Sequence, residues 1–152
     1  MSSPEHAGEL IIRENLMSDS RKEDEAAVNA VLAEAYKAWE ANDADAFVAN
    51  YTEDATAILP GSLRDSRDVI RESMAKSFEG PLKGSSTYNK QLSIRFLGND
   101  GAIVVSESGI LFAGETEVPD ARKIYATWVL EKRDGNWYIA TYHNSPMSAP
   151  AH

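Results

Sequence analysis

The sequence predicts an α+β fold in which three helices pack against a curved, mainly antiparallel sheet. Two observations support this fold class. Apolar residues recur mostly at helical spacing up to Glu79, and beyond Ser85 they alternate at the spacing of strands. Towards the end, Asp134-Gly135 separates two runs rich in β-branched and aromatic residues, which is typical of a tight antiparallel hairpin. Helices that precede a strand meander favour segregated layers over alternating βα units.

The first two helices are predicted to meet at a tight corner. The first spans about residues 21–41, because Ser20 and Glu23 form a capping box ahead of apolar residues at helical spacing. Asn42 can end this helix in a left-handed conformation, and Asp43 can cap a short second helix. The apolar residues of the second helix are Phe47, Val48 and Tyr51.

A short strand leads into the third helix. Residues 55–59 are apolar and β-branched, and Pro60-Gly61 predicts a turn after them, with room for another short strand around Leu63. Ser66 can cap a helix over residues 67–79, which Gly80 and Pro81 would end.

Two hairpins complete the predicted sheet. Alternation over residues 92–96, a turn at 98–101 and an apolar return strand over 102–112 form the first. The second pairs residues 121–133 with 137–144. The predicted order of elements is therefore α-α-β-α-β-β-β-β.

Strict alternation divides the last strand into two faces. One face carries Trp137, Ile139, Thr141 and His143, and the other carries Tyr138, Ala140, Tyr142 and Asn144. Neither set is plainly polar, so we expect helices of the same chain to cover one face. The other face is expected to meet a second subunit, which predicts a homodimer through the sheet.

Length and composition predict one domain. With 152 residues, we assign a flexible N-terminal arm to residues 1–20, a folded domain to 21–146 and a tail to 147–152. A net charge of −9, with 15 scattered Lys and Arg residues, argues against nucleic-acid partners. No apolar run approaches a membrane span, and no secretory signal is seen, so we expect a cytoplasmic protein.

Metal and thiol chemistry are not expected. The chain has no Cys, and two of its three His residues, His6 and His152, lie near the termini. We therefore predict no metal site and no cofactor.

Several segments resemble the cone-shaped NTF2-like superfamily, which includes SnoaL-like cyclases and ketosteroid isomerases. The resemblance covers about residues 23–145 and is clearest at Trp39–Phe47, Tyr51–Thr56 and Gly135–Ile139. Residues 78–82, 95–97 and 141–144 are most similar to the SgcJ/EcaC-type branch, which is associated with enediyne polyketide biosynthesis. The resemblance implies a pocket between the helices and the concave sheet face, usually with dimerisation through the sheet. It does not imply one activity, because this fold serves many functions.

The ketosteroid isomerase pattern is incomplete. Aligned with it, the sequence has Ala35 at the position of the helix-one Tyr and Leu59 at the position of the base. A shift of one residue would substitute Tyr36, but would rotate the side chain by about 100° around the helix. We therefore do not expect steroid-isomerase chemistry.

His143 and Asp54 are the candidate catalytic residues. Strict alternation places His143 with Trp137 and Ile139, where it could transfer a proton or orient a ligand, or it could simply end the strand in solvent. Asp54 could be catalytic, although a turn-forming role is favoured. The charged side chains Arg95 and Glu107 are expected to pair across strands or to bind a polar substituent of a ligand.

The candidate ligand-binding residues are mainly aromatic: Trp39, Tyr51, Phe78, Trp128 and His143. Aromatic residues in such positions are more often part of the core than of a ligand site, although a cone-shaped fold leaves some of them to line its cavity. Three functional classes remain open at this point: a protein that binds or tailors a hydrophobic, polyketide-like compound; a SnoaL-like cyclase or isomerase that uses His143 or Asp54; and a structural dimerisation module with a vestigial pocket.

Overall fold

The computed structural model describes residues 4–148, with side chains from residue 19 onward. Within this part of the chain, three α-helices lie against one face of a six-stranded sheet. The helices are α1 (Pro4–Glu40), α2 (Ala44–Val48) and α3 (Arg67–Glu79). The strands are β1 (Tyr51–Leu59), β2 (Ser62–Arg64), β3 (Ser86–Leu97), β4 (Gly101–Leu111), β5 (Ile124–Arg133) and β6 (Asn136–Pro146).

The sheet has the strand order β2-β1-β6-β5-β4-β3. All neighbouring strands are antiparallel except β1 and β6, which are parallel. The sheet curves around the helices, so the predicted α+β architecture and the predicted order of elements are confirmed, including the short strand at Leu63.

Local turn chemistry shapes the connections as predicted. Asn42 ends α1 with φ 53°, and Asp43 caps α2 by accepting the Ala46 N–H at 3.0 Å. Ser66 caps α3 in the same way. The turn between β5 and β6 places Asp134 at φ 51° and Gly135 at φ 79°, the paired left-handed conformations that a tight hairpin requires.

The predicted start of the first helix was wrong. The helix begins at Pro4 and continues through Ser20, well before the predicted start at residue 21. Neither Pro nor Gly occurs between Gly8 and Asn42, and a Ser inside a helix costs only about 0.5 kcal/mol relative to Ala. The helix can therefore pass through Ser20, and the capping-box pattern does not mark its start. The assigned boundary at residue 20 is therefore not a break in secondary structure. Residues 149–152 of the predicted tail lie outside the described residues.

Two smaller predictions also need correction. Tyr51 begins β1 rather than ending the second helix, because its strand pairs with β6 at Ile139. The first strand of the last hairpin begins at Ile124, since residues 120–122 form a 3-10 turn.

A β-bulge in β6 moves the residues that follow it to the opposite faces of the sheet. Leu130 pairs with Ile139, whereas the next residue back along β5, Val129, pairs with Thr141. Ala140 is therefore the extra residue of the bulge, and side-chain alternation changes phase there. Trp137 and Ile139 face the helices before the bulge; beyond it, the inward positions belong to Tyr142 and Asn144.

The core lies between the helices and the inner face of the sheet. Its buried members come from every helix and from four of the strands, β1, β4, β5 and β6, among them Leu32, Ile70, Leu130 and Ile139. Within the described residues, no helix is long and apolar enough to span a membrane.

Candidate functional site

A cavity of about 140 Å³ lies between the helices and the concave face of the sheet. Its walls are mainly apolar. The residues that line it include Trp39, Phe47, Leu59, Ile70, Met74, Leu82, Ile110, Ile124 and Trp128. An apolar cavity of this size encloses about one aromatic ring. The predicted position of the pocket agrees with this cavity.

Aromatic side chains hold one wall of the cavity in place. Trp39 contacts Phe47 and Phe78 edge-on, with ring centroids 5.8 and 5.6 Å apart. Its indole N–H donates to Ser85 Oγ at 2.9 Å. Packing and a hydrogen bond together fix the orientation of Trp39, so this wall is preorganised.

Three phenols converge on the cavity from α1, β1 and β6: Tyr36, Tyr51 and Tyr142. Burial is the main cause that raises the pKa of Tyr36 to about 12, and the proximity of Tyr142 adds to it, while the nearby Trp128 and Ser106 partly offset the rise. Burial also raises the pKa of Tyr51 and of Tyr142. All three hydroxyls therefore stay protonated near neutral pH and can donate hydrogen bonds.

Two buried polar atoms of the lining residues form no hydrogen bond of good geometry within the described structure: Trp128 Nε1, a donor that lies near the Tyr36 hydroxyl, and Asn144 Oδ1, an acceptor. The amide of Asn144 donates to the Tyr142 hydroxyl at 3.0 Å, so that amide is oriented. An unpaired buried polar group is unfavourable, and a ligand or a water that pairs with it removes the penalty.

The polar part of the wall lies on β3 and β4. Asn89 donates to Thr87 Oγ1 at 2.8 Å and accepts from Ser108 Oγ at 3.0 Å. These three side chains satisfy one another, and they give one side of an otherwise apolar cavity a polar surface. The charged lining residue is Arg64, at the end of β2.

The predicted ligand-binding residues are divided by the structure. Trp39, Tyr51 and Trp128 line the cavity. Phe78 is buried behind Trp39 and supports it without lining the cavity. Whether the lining residues contact a ligand stays a prediction.

The predicted inward orientation of His143 is wrong. His143 is exposed and lies opposite Ile58 and Thr127 on the outer face of the sheet. The bulge at Ala140 is the physical reason, because it moves every later residue of β6 to the face opposite the one that strict alternation assigns.

Asp54 also lies outside the cavity. Its carboxylate is exposed, 3.9 Å from Arg133 Nη2. The expected pairing of Arg95 with Glu107 is wrong as well, since Arg95 lies opposite Ile103, and Glu107 lies opposite Lys90 and accepts from the Tyr88 hydroxyl at 2.7 Å. Among the described residues, no group of three or more His, Asp or Glu side chains is arranged to hold a metal.

The sequence did not predict seven of the lining residues that carry polar side-chain atoms: Tyr36, Arg64, Thr87, Asn89, Ser108, Tyr142 and Asn144. Tyr142 and Asn144 were assigned to the wrong face because a bulge has no reliable signal in one sequence. Ala35, at the aligned position of the isomerase Tyr, is buried in the core, whereas the neighbouring Tyr36 lines the cavity. Leu59, at the aligned position of the isomerase base, does line the cavity.

Helices laid across a curved sheet, with an apolar cavity between them, define the cone-shaped NTF2-like class of α+β proteins. Similar solved structures include a domain of unknown function with a cystatin-like fold from Nostoc punctiforme, with 24% identity and a TM-score of 0.76; the match covers 83% of this chain and 78% of that one. An NTF2-like protein with a cystatin-like fold from Novosphingobium aromaticivorans has 17% identity, 99% and 94% coverage, and a TM-score of 0.74. A ketosteroid isomerase-like protein from Erwinia carotovora atroseptica has 22% identity, 82% and 96% coverage, and a TM-score of 0.65. Identities this low establish the fold alone.

The chain belongs to the SnoaL-like domain family, whose model matches residues 28–150. No curated protein matches the chain. The superfamily that the sequence predicts is therefore confirmed.

Proposed function

We propose that the protein binds a small hydrophobic molecule in this cavity, and that the molecule is an aromatic or polyketide-like compound of secondary metabolism. The observation behind the proposal is the pairing of apolar walls with a few inward polar atoms. Ligand pockets typically combine these features, with the apolar walls giving affinity and the polar atoms fixing orientation.

The shape of the cavity constrains how such a ligand sits. About 140 Å³ encloses one ring. Leu59, Leu82, Ile110 and Ile124 are only half-buried lining residues, so a larger compound would extend past them towards solvent. Each neutral hydrogen bond contributes only about 1 kcal/mol, so shape dominates affinity.

The polar atoms favour a ligand that both accepts and donates hydrogen bonds. The Trp128 N–H and the phenols can donate to a carbonyl oxygen, and Asn144 Oδ1 can accept from a ligand hydroxyl. Hydroxyquinones and hydroxylated aromatic ketones carry this combination of groups.

Binding is favoured over proton-transfer catalysis by the residues that line the cavity. Among those that the structure describes, none is a carboxylate or an imidazole that could take a proton. The candidates named for that role, His143 and Asp54, lie outside. The three protonated phenols could stabilise a developing enolate, so tailoring would require the ligand or solvent to take the proton.

Thermal denaturation in the presence of 2-naphthol tests the proposal. A ligand that binds only the folded state raises the melting temperature with concentration. Ile110→Trp places a larger side chain on the cavity wall and should abolish the rise, while His143→Ala, on the outer face, should preserve it. If wild type shows no rise, or if Ile110→Trp responds like wild type, cavity binding is refuted and a structural module becomes the better description.

Two finer assignments belong to the same proposal. Residues 78–82, 95–97 and 141–144 support placement in the SgcJ/EcaC-type branch associated with enediyne biosynthesis.

A homodimer through the outer sheet face is supported by Ile58 and Tyr125, which are 39% and 45% exposed there. Tyr142 no longer supports it, since it faces the cavity. Sedimentation at micromolar concentration should show a dimer that Ile58→Glu with Tyr125→Glu dissociates; a monomeric wild type would refute the dimer.

A further inference from the structure

We infer that the cavity selects ligands that carry a carboxylate, and that Arg64 is the residue that recognises it. This inference rests on the proposed function, because it names the chemical class of the molecule that the cavity binds. An aromatic acid, with its ring among the apolar walls and its carboxylate on Arg64, is the fitting occupant.

The backbone directs Arg64 towards the cavity. Arg64 lies opposite Ala57 across the β1–β2 pair, and residues directly opposite each other share a face of the sheet. Ala57 is buried, and both Ala57 and Arg64 line the cavity. The small side chain of Ala57 leaves space beside it for the long side chain of Arg64.

Arg64 has no acidic partner in the described structure. Among residues 19–148, the guanidinium groups of Arg67, Arg122 and Arg133 each form an ion pair, and Arg64 forms none. Within the described residues, the polar contact of Arg64 joins Nη1 to Met74 Sδ at 3.5 Å, and a thioether is a weak acceptor. Among the residues whose side chains are described, no Asp or Glu lines the cavity.

The surroundings of Arg64 make an anionic partner favourable. The side chain is partly withdrawn from solvent, and this burial lowers its pKa, opposed by the nearby Tyr51 and Tyr142. Guanidinium nevertheless remains charged at neutral pH. A partly desolvated guanidinium without a counterion gains most from a carboxylate, because the carboxylate can accept two parallel N–H···O hydrogen bonds from it.

The acidic character of the whole chain does not outweigh this local attraction. The net charge is −9, and it disfavours the approach of any anion. At physiological ionic strength, however, exposed charges are screened beyond roughly 8 Å, whereas a carboxylate in the cavity would contact Arg64 directly. The nearest charge therefore decides the preference.

Isothermal titration with a matched pair of probes tests the inference. The carboxylate 2-naphthoate and the amide 2-naphthamide have nearly the same shape and differ in charge. Wild type should bind 2-naphthoate at least about ten-fold more tightly. Arg64→Met should lose this preference while still binding 2-naphthamide. Arg64→Lys, which keeps the charge without the planar fork, should retain part of it. Arg71→Met removes a cation of α3 that does not line the cavity, and should behave like wild type.

The outcomes separate this inference from the function on which it rests. Equal affinity of wild type for both probes would overturn the role of Arg64 and leave cavity binding intact. A preference that persists in Arg64→Met, or that disappears equally in Arg71→Met, would also overturn it. Failure of wild type to bind either probe would overturn the proposed function together with the inference. Circular dichroism of each variant excludes loss of fold as the cause.

Discussion

Replacement of Tyr36 by Phe tests the buried environment of the phenol cluster. Burial raises the pKa of Tyr36 from its ordinary value of about 10 to about 12. The folded state thus holds the phenol proton more tightly than the unfolded chain does. The resulting stabilisation is fully present below pH 10 and is lost as the pH rises through 12.

The two pKa values fix the size of the effect. Between pH 8 and pH 11, linkage predicts that Tyr36 alone lowers the free energy of unfolding by up to about 1.4 kcal/mol. Tyr36→Phe has no proton to lose at this position, so it should lose that much less stability over the same interval. Comparing each protein with itself at the two pH values removes the effect of the substitution on packing.

Urea denaturation followed by circular dichroism at pH 8 and pH 11 gives the required free energies. Tyr125→Phe, which removes an exposed phenol on the outer face, serves as the matched control. Phenolate absorbance during an alkaline titration offers a second measurement, in which Tyr36→Phe should lose a late-ionising group. If Tyr36→Phe and wild type lose equal stability between the two pH values, the assigned environment of Tyr36 is refuted.

Three further substitutions test one clash, one helix cap and one exposed carboxylate. Gly109→Ala should destabilise the fold by about 1–3 kcal/mol, because the new Cβ would lie 2.6 Å from Val118 Cγ1. Urea denaturation should show that adding Val118→Ala restores part of the lost stability. If the free-energy changes of the two substitutions simply add, the contact is contradicted. Asp43→Ala should lower the free energy of unfolding by about 1 kcal/mol through loss of the α2 cap, whereas unchanged stability would show that the cap is dispensable. Asp54→Asn should leave 2-naphthol affinity unchanged by titration calorimetry, since its carboxylate is exposed outside the cavity, and a clear loss would place the ligand elsewhere.

Local rules in the sequence were sufficient where a few neighbouring residues decide the conformation. The left-handed Asn42, the cap at Asp43 and the turn at Asp134-Gly135 each depend on side-chain and backbone preferences within a few residues. These local signals, with the period of the apolar residues, gave the order of the elements and the layered fold.

Non-local effects explain what the sequence did not reveal. The bulge at Ala140 depends on how β6 meets β5 on one side and β1 on the other, and no local signal marks it. Alternation read across the bulge therefore assigned His143 to the cavity and Tyr142 to the outer face. The predicted start of the first helix was wrong for a different reason. The residues around Ser20 suit both a helix end and a helix interior, and the helix is continuous with the residues before them.

The bulge in β6 also suggests how a pocket of this kind can diversify during evolution. Because Ala140 sets the phase of the residues after it, removing or adding one residue there would exchange the outer set, Thr141 and His143, for the inner set, Tyr142 and Asn144. Such a change would replace one phenol and one amide side chain of the cavity with a hydroxyl and an imidazole in a single step, without altering the strand order. Sequence comparisons of related proteins that allow no gaps in this strand would then compare cavity residues of one protein with surface residues of another.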